Sequence, residues 1–186
     1  MPPSAPAPRI AVPPDALVIL CGPSGSGKSF FARRNARSTA IVSSDRCRAL
    51  VGDDATDQRF SGRAFDLFHR IIAHRLAVGR LTVADSTALS PDARRELRRL
   101  ARRAGRPTVL ILFDLPLTLC RRRNAARRRR VPEAVLRAQH ERFRAQRDRL
   151  PAEGYAVVAR LTARDGGLAR LRIVRSAPPS EGAPPA

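Results

Sequence analysis

The eight residues Gly22-Pro23-Ser24-Gly25-Ser26-Gly27-Lys28-Ser29 constrain this chain more than any other segment. They fit G-x-x-x-x-G-K-[ST], follow the apolar run Ala16–Cys21 and open a helix-forming stretch. Of 36 Lys and Arg residues, only Lys28 is a lysine. Every other basic position carries arginine, so a bystander lysine at this one place is a poor explanation. The pattern also has a mechanism. Glycines let backbone N–H groups wrap phosphate oxygens, and the helix that follows presents its positive N-terminus. Lys28 can reach β- and γ-phosphates, and the Ser29 hydroxyl can ligate Mg²⁺. Gly22 to Ser29 thus read as the cradle of a nucleoside triphosphate, with ATP and Mg²⁺ expected; the sequence does not separate ATP from GTP.

The 186 residues suit one domain with short tails. A hydrophobic content of 43% with only 4% aromatics implies an aliphatic core. The net charge of +20 attracts polyanions, nucleic acid among them, although codon bias and solvated arginine-rich helices account for part of it. Cys21, Cys47 and Cys120 form no C-x-x-C pair, so neither a disulfide framework nor a zinc site is expected, and a reducing cytoplasm fits. His69, His74 and His140 read as structural or solvated. The Pro/Ala-rich start has no apolar core of signal-peptide length, and no apolar run is long enough to cross a membrane.

Along the chain, residues 1–14 and the Pro-rich end from Ala177 (177–186) read as loose tails around a domain spanning 15–176. Short apolar runs at Ala16–Cys21, Ala40–Ser43, Leu81–Ala84, Thr108–Phe113 and Tyr155–Leu161 predict five strands. Helical periodicity fills the gaps, most clearly through Phe65, Phe68, Ile71, Ile72 and Leu76. Ser90-Pro91 is a helix start, with Ser90 as N-cap. Leu117–Arg130 and Pro132–Leu150 predict a helical pair interrupted at Pro132, and Asp165–Ser176 is ambiguous. Alternating strands and helices imply an α/β fold with a parallel sheet of about five strands covered on both faces.

In such sheets ligands bind beyond the carboxyl ends of the strands, where Asp45, Asp85 and Asp114 fall. Helix capping is an alternative role for each, strongest for Asp114. The segment Asp85-Ser86-Thr87 lacks the glutamate that motor ATPases often place beside this aspartate, which favours a kinase. Phosphoryl transfer needs alignment, charge neutralisation and a carboxylate to take the acceptor's proton. Asp45 is the candidate base, and Asp85 the candidate for orienting Mg²⁺ beside Ser29. Arg48, three residues after Asp45, points the same way on a helix and could hold an acceptor phosphate, or be one more surface arginine. Arg123, Arg127 and Arg130 fall at i, i+4 and i+7 and suit a closing lid over about 120–135; a charge run without a catalytic part is the alternative.

From Leu17 to Leu161 the chain resembles the 5′-hydroxyl polynucleotide kinase domain of bacterial RNA end-healing and sealing proteins, the Pnkp type. The resemblance rests on Gly22–Ser29, on Ser43-Ser44-Asp45-Arg46-Cys47-Arg48-Ala49-Leu50, on Leu81–Thr87, and on Cys120–Asn124 with Arg127 and Arg130. It implies a P-loop phosphotransferase moving the ATP γ-phosphate to a 5′-OH end of RNA or DNA. In it Lys28 and Ser29 contact phosphate and metal, and Asp45 serves as general base. Arg48 would clamp the adjoining substrate phosphate, and Arg123, Arg127 and Arg130 would be lid contacts to ATP. Ala88 departs from an asparagine in that family's pattern, and no phosphatase or ligase module like those that usually follow is expected within these 186 residues. A stand-alone kinase, or one serving separate ligase or phosphatase partners, is therefore expected. Two alternatives use the same scaffold: a small-molecule or nucleotide-sugar kinase, and an ATP-gated nucleic-acid-binding module.

Overall fold

The computed structural model describes residues 9–163 and 170–173. In chain order the elements are β1 (Arg9–Val12), β2 (Leu17–Cys21), α1 (Lys28–Asn35), β3 (Ile41–Ser43), α2 (Ser44–Gly52), α3 (Ser61–Ala77), β4 (Thr82–Asp85), α4 (Pro91–Arg103), β5 (Thr108–Phe113), α5 (Leu117–Ala125), α6 (Glu133–Gln146), β6 (Val157–Leu161) and β7 (Arg170–Ile173). The main sheet has the order β3-β4-β2-β5-β6. All four of its pairings are parallel. The expected α/β architecture with helices on both faces is the observed one.

The uninterrupted apolar character of β2 and β5 follows from this layering. Alternate residues of a strand face opposite ways. Leu17, Ile19 and Cys21 enter one core with Phe68, Ile72 and Leu76 of α3 and Leu97 of α4. Val18 and Leu20 enter the other with Phe31 of α1, Cys120 of α5 and Leu136 of α6. On α3 the buried residues Ala64, Phe68, Ile72 and Leu76 recur every fourth position; of the predicted stripe Phe68, Ile72 and Leu76 are buried, and Phe65 and Ile71 are half-buried. Each large side chain so buried stabilises the fold by about 1.5–3 kcal/mol.

At the ends one expectation is corrected and one ambiguous stretch is partly assigned. Arg9–Val12, placed in a loose tail, form β1, which pairs in parallel with β7 in a separate two-stranded sheet. Ile10 and Val12 are buried while Arg9 and Ala11 are exposed, an alternation that the neighbouring prolines obscured. Part of the ambiguous Asp165–Ser176 stretch supplies β7. Residues 1–8 and 177–186 of those tails lie outside the described ones. No helix among the described residues is long and apolar enough to cross a membrane.

Register places the site. Ser43 sits opposite Asp85 and Cys21 opposite Leu112, so β3, β4, β2 and β5 end on one edge. The segments leaving β2, β3 and β4 carry the phosphate loop, Asp45 and Ser86-Thr87 out of that edge together.

Candidate active site

The loop from Gly22 to Gly27 is held from both sides. Gly22 N donates to Thr87 O at 3.0 Å, tying it to the segment after β4. Gly25 has φ +77°, and a Cβ there would run into the backbone carbonyl of Cys120 on α5, so only glycine fits. Lys28 is buried, and its Nζ donates to Gly22 O and Pro23 O at 2.8 Å each. Burial lowers its pKa to about 8, partly opposed by the carboxylate of Asp85.

Asp85 is itself buried, with the Ser29 hydroxyl beside it. Burial raises its pKa, against the pull of the Ser29 hydroxyl and of Lys28. A hydroxyl and one carboxylate at a phosphate loop are a fitting donor set for Mg²⁺, which keeps several waters and takes the rest of its ligands from phosphate. Among the described residues no cluster of three or more His, Cys, Asp or Glu could cage a metal without such help.

Ser43 caps α2, its Oγ accepting from Arg46 N at 3.4 Å, and so fixes the turn that presents Asp45. The Asp45 side chain is 61% exposed, while that of Arg48 is 6% exposed. Arg48 Nη1 donates to Asp45 Oδ1 at 2.8 Å and to Ala55 O at 2.9 Å, and Nε donates to Ser61 Oγ at 3.3 Å. The expected proximity of the two residues is present, but much of the guanidinium is spent within the protein.

The lid expectation needs a geometric correction. Arg123 lies on α5, but the helix ends at Ala125, so Arg127 and Arg130 do not continue its face. Four successive like charges from Arg127 to Arg130 and the restriction that Pro132 puts on Val131 stop the helix early. Asn124 then closes the turn, exchanging hydrogen bonds with the Val131 backbone at 2.8 and 3.0 Å. Arg123 Nη1 still reaches the phosphate loop, donating to Ser26 O at 3.2 Å. Asp114 is no helix cap, since Pro116 holds the N-cap position of α5. It pairs instead with Arg147 at 2.8 Å and Arg160 at 2.6 Å. His140 is structural, its Nε2 lying 3.0 Å from Leu115 O.

Two cavities open at this edge, of about 710 Å³ and about 730 Å³. They share Ser24, Ser29, Asp45, Arg127, Arg129 and Val131. The first continues past Arg123 to Phe30, Leu161 and Thr162. The second continues past Lys28, Asp85 and Arg48 to Arg130 and Gln139. Each of the sequence-derived candidates from Ser24 to Gly27, with Lys28, Ser29, Asp45, Arg48, Asp85, Arg123, Arg127 and Arg130, lines at least one of them.

Sequence reasoning missed Arg129 and Gln139. Arg129 Nη2 donates to Ala55 O at 2.6 Å, and its Nη1 lies 3.7 Å from Asp45 Oδ2. Within a run of four arginines nothing in the spacing separates it from its neighbours. Gln139 Oε1 accepts from Ser24 N at 2.8 Å, a contact between residues 115 positions apart that no local pattern reveals.

Comparison with known proteins agrees with this architecture. A chain of the Pnkp1/Rnl/Hen1 RNA repair complex superposes with TM-score 0.62 at 19% identity, over 80% of this chain and 48% of that one. This chain therefore spans about half the length of that relative. A complex of AvrRxo1-ORF1 and AvrRxo1-ORF2 with sulphate ions gives TM-score 0.62 at 19% identity, over 79% and 54% of the two chains. A gluconokinase from Sinorhizobium meliloti 1021 gives 0.52 at 16%, over 84% and 93%. At these identities the likeness is one of fold. Residues 17–150 match the family described as AAA domain, and on that match, with the phosphate loop inside it, the chain belongs to that family.

Proposed function

We propose that the protein is a kinase that moves the γ-phosphate of ATP to the 5′-hydroxyl of a polynucleotide. The observation that carries this reading is the junction of two cavities at the phosphate loop, with Asp45 lining both. A donor nucleoside in the first and an acceptor in the second would meet at Ser24, Ser29 and Asp45. Ser29 and Asp85 would hold Mg²⁺, which supplies charge neutralisation on the phosphates. Lys28 and Arg123, Arg127 and Arg130 oppose the charge of the moving group. Asp45 accepts the hydroxyl proton as the new O–P bond forms and the bond from the γ-phosphorus to the bridging oxygen breaks, leaving ADP. Arg129 and Arg130 along the second cavity, with the net charge of +20, favour an anionic acceptor over a neutral one.

A small-molecule acceptor is the second reading, and one observation favours it. The Nη1 and Nε of Arg48 already serve Asp45, Ala55 and Ser61, which weakens its role as a phosphate clamp. One acceptor panel separates the two. With labelled ATP and Mg²⁺, a 5′-OH oligonucleotide is expected to take label and the same strand bearing a 5′-phosphate is not. Label on sugars or nucleotide-sugars with none on the strand would transfer the assignment to the second reading. Strand binding that survives Asp45→Asn, with no transfer by wild type to any acceptor, would point to a binding module.

A further inference from the structure

Gln139 is joined to the phosphate loop in a way the reaction above does not use. It stands on α6, the helix that follows the arginine-bearing segment 126–132. Its Oε1 takes the backbone N–H of Ser24 at 2.8 Å. A side-chain amide carries acceptor and donors on one carbon, so pinning Oε1 holds Nε2 beside the loop as well. Among the described residues Nε2 meets no protein acceptor. Gln139 and Ser24 line the second cavity with Lys28 and Asp45, the side from which an acceptor would approach. Ser24 precedes the stretch Gly25–Ser29 whose amides wrap the inner phosphates in a loop of this kind.

We infer that Gln139 extends the loop's ring of donors to the terminal phosphate: Oε1 fixes the Ser24 amide while Nε2 donates to a γ-phosphoryl oxygen. The inference rests on the triphosphate reading of the loop, but not on the identity of the acceptor. It has a consequence for the lid. Because α6 continues from the segment holding Arg127, Arg129 and Arg130, a third phosphate seated against Gln139 also seats those arginines. A diphosphate leaves Nε2 without its acceptor, and α6 is then held to the loop by Ser24 alone.

The test compares affinities of the full chain for Mg²⁺-bound β,γ-imido-ATP and Mg²⁺-bound ADP by titration calorimetry, with no acceptor present. Gln139→Met removes both polar atoms at similar volume. Gln139→Glu keeps an oxygen for Ser24 but replaces the donor with a second oxygen. Both variants are expected to lose about tenfold in affinity for the triphosphate analogue, the worth of one hydrogen bond to a charged group. In Gln139→Glu, which keeps an oxygen for Ser24, ADP affinity and melting temperature should stay at wild-type values, while Gln139→Met, which loses that bond, should also melt slightly lower. In turnover, kcat falls and the acceptor KM does not change. Equal losses for the two nucleotides, which a merely structural seat for the loop would give, overturn the inference. So does wild-type binding of the analogue by Gln139→Glu. A wild-type protein that binds the analogue but labels no strand refutes the acceptor assignment and leaves this comparison decisive.

Discussion

Arg48 Nη1 lies 2.8 Å from Asp45 Oδ1, and the arginine is the fixed member of the pair: its side chain is 6% exposed against 61% for the aspartate. Ala55 O and Ser61 Oγ hold the guanidinium from the loop after α2 and from the start of α3. The carboxylate is thereby aimed by a buried group while staying open to the cavities. On the proposed reading of Asp45 as the base, that geometry suits Arg48 to position it.

Replacing Arg48 should expose that role. Arg48→Lys offers one point donor where the planar fork serves three acceptors, so it is expected to behave more like Arg48→Ala than like wild type. Both should lower kcat by about 10²-fold through a misplaced carboxylate. They should also lose about 1–3 kcal/mol of stability in urea melts, from polar groups left unpaired. A raised acceptor KM with kcat preserved would instead make Arg48 a substrate clamp.

Asp45→Asn keeps an oxygen for Arg48 and removes the proton acceptor. Transfer is expected to fall by about 10²–10⁴-fold, the usual worth of a general base, with nucleotide affinity little changed. Rapid-quench turnover alongside calorimetric titration measures both. Transfer at the wild-type rate would take Asp45 out of the chemistry.

Behind the site, Arg94 is 1% exposed and bidentate to Glu153, with Nη2 to Oε1 at 2.6 Å and Nε to Oε2 at 3.0 Å. Its Nη1 donates to Ala88 O at 2.9 Å, fixing a residue with φ +46° just beyond Asp85-Ser86-Thr87. Arg94→Met should cost about 3 kcal/mol, because it strands a partly desolvated carboxylate. Burial pushes the Glu153 pKa up, but hydrogen bonds from Arg94 and Tyr155 outweigh it and the net shift is downward. The pair's contribution is therefore complete above the ordinary glutamate range and is lost as pH falls through the depressed value. Acid denaturation of wild type and of Glu153→Gln should differ mainly on that limb.

How much of this the sequence showed depends on range. β5, α3 and the phosphate loop were legible because each rests on a local period or motif: six apolar residues in a row, a stripe every fourth residue, a glycine spacing. Asp45 and Arg48 were legible as neighbours because three residues make most of a helical turn. The lid's geometry was not, since i, i+4, i+7 spacing means one face only while the helix lasts, and α5 stops at Ala125. Arg94–Glu153, Ser24–Gln139 and the β1–β7 pairing join segments far apart in the chain, and no local signal encodes them.

Gly25 gives a steric prediction. With φ +77° and the Cys120 carbonyl against the place of a Cβ, Gly25→Ala must shift either the loop or α5. Backbone cannot yield as a flexible side chain does, so loss of nucleotide binding is expected with the sheet intact. Circular dichroism with calorimetric titration checks both. Gly105→Ala is the control, because its φ of +64° carries similar strain and a Cβ there meets nothing within 4 Å. It should cost about 1–2 kcal/mol and spare binding.

Lys28 is expected to make nucleotide binding depend on pH. Its pKa falls from 10.5 to about 8 because burial disfavours the ammonium, with Asp85 only partly opposing. A depressed lysine is held in its less favoured charged form at neutral pH, so its destabilising contribution is relieved as pH rises from about 8 towards 10.5. Phosphate oxygens beside Nζ favour the charged form and restore the proton. Binding of β,γ-imido-ATP at pH near 8 should therefore take up about half a proton, and affinity should decline above that pH. Calorimetry in buffers of different ionisation enthalpy reads the uptake directly. Lys28→Arg, which stays charged throughout, should abolish the uptake even where it binds weakly. An uptake unchanged in that variant would assign the proton to another group.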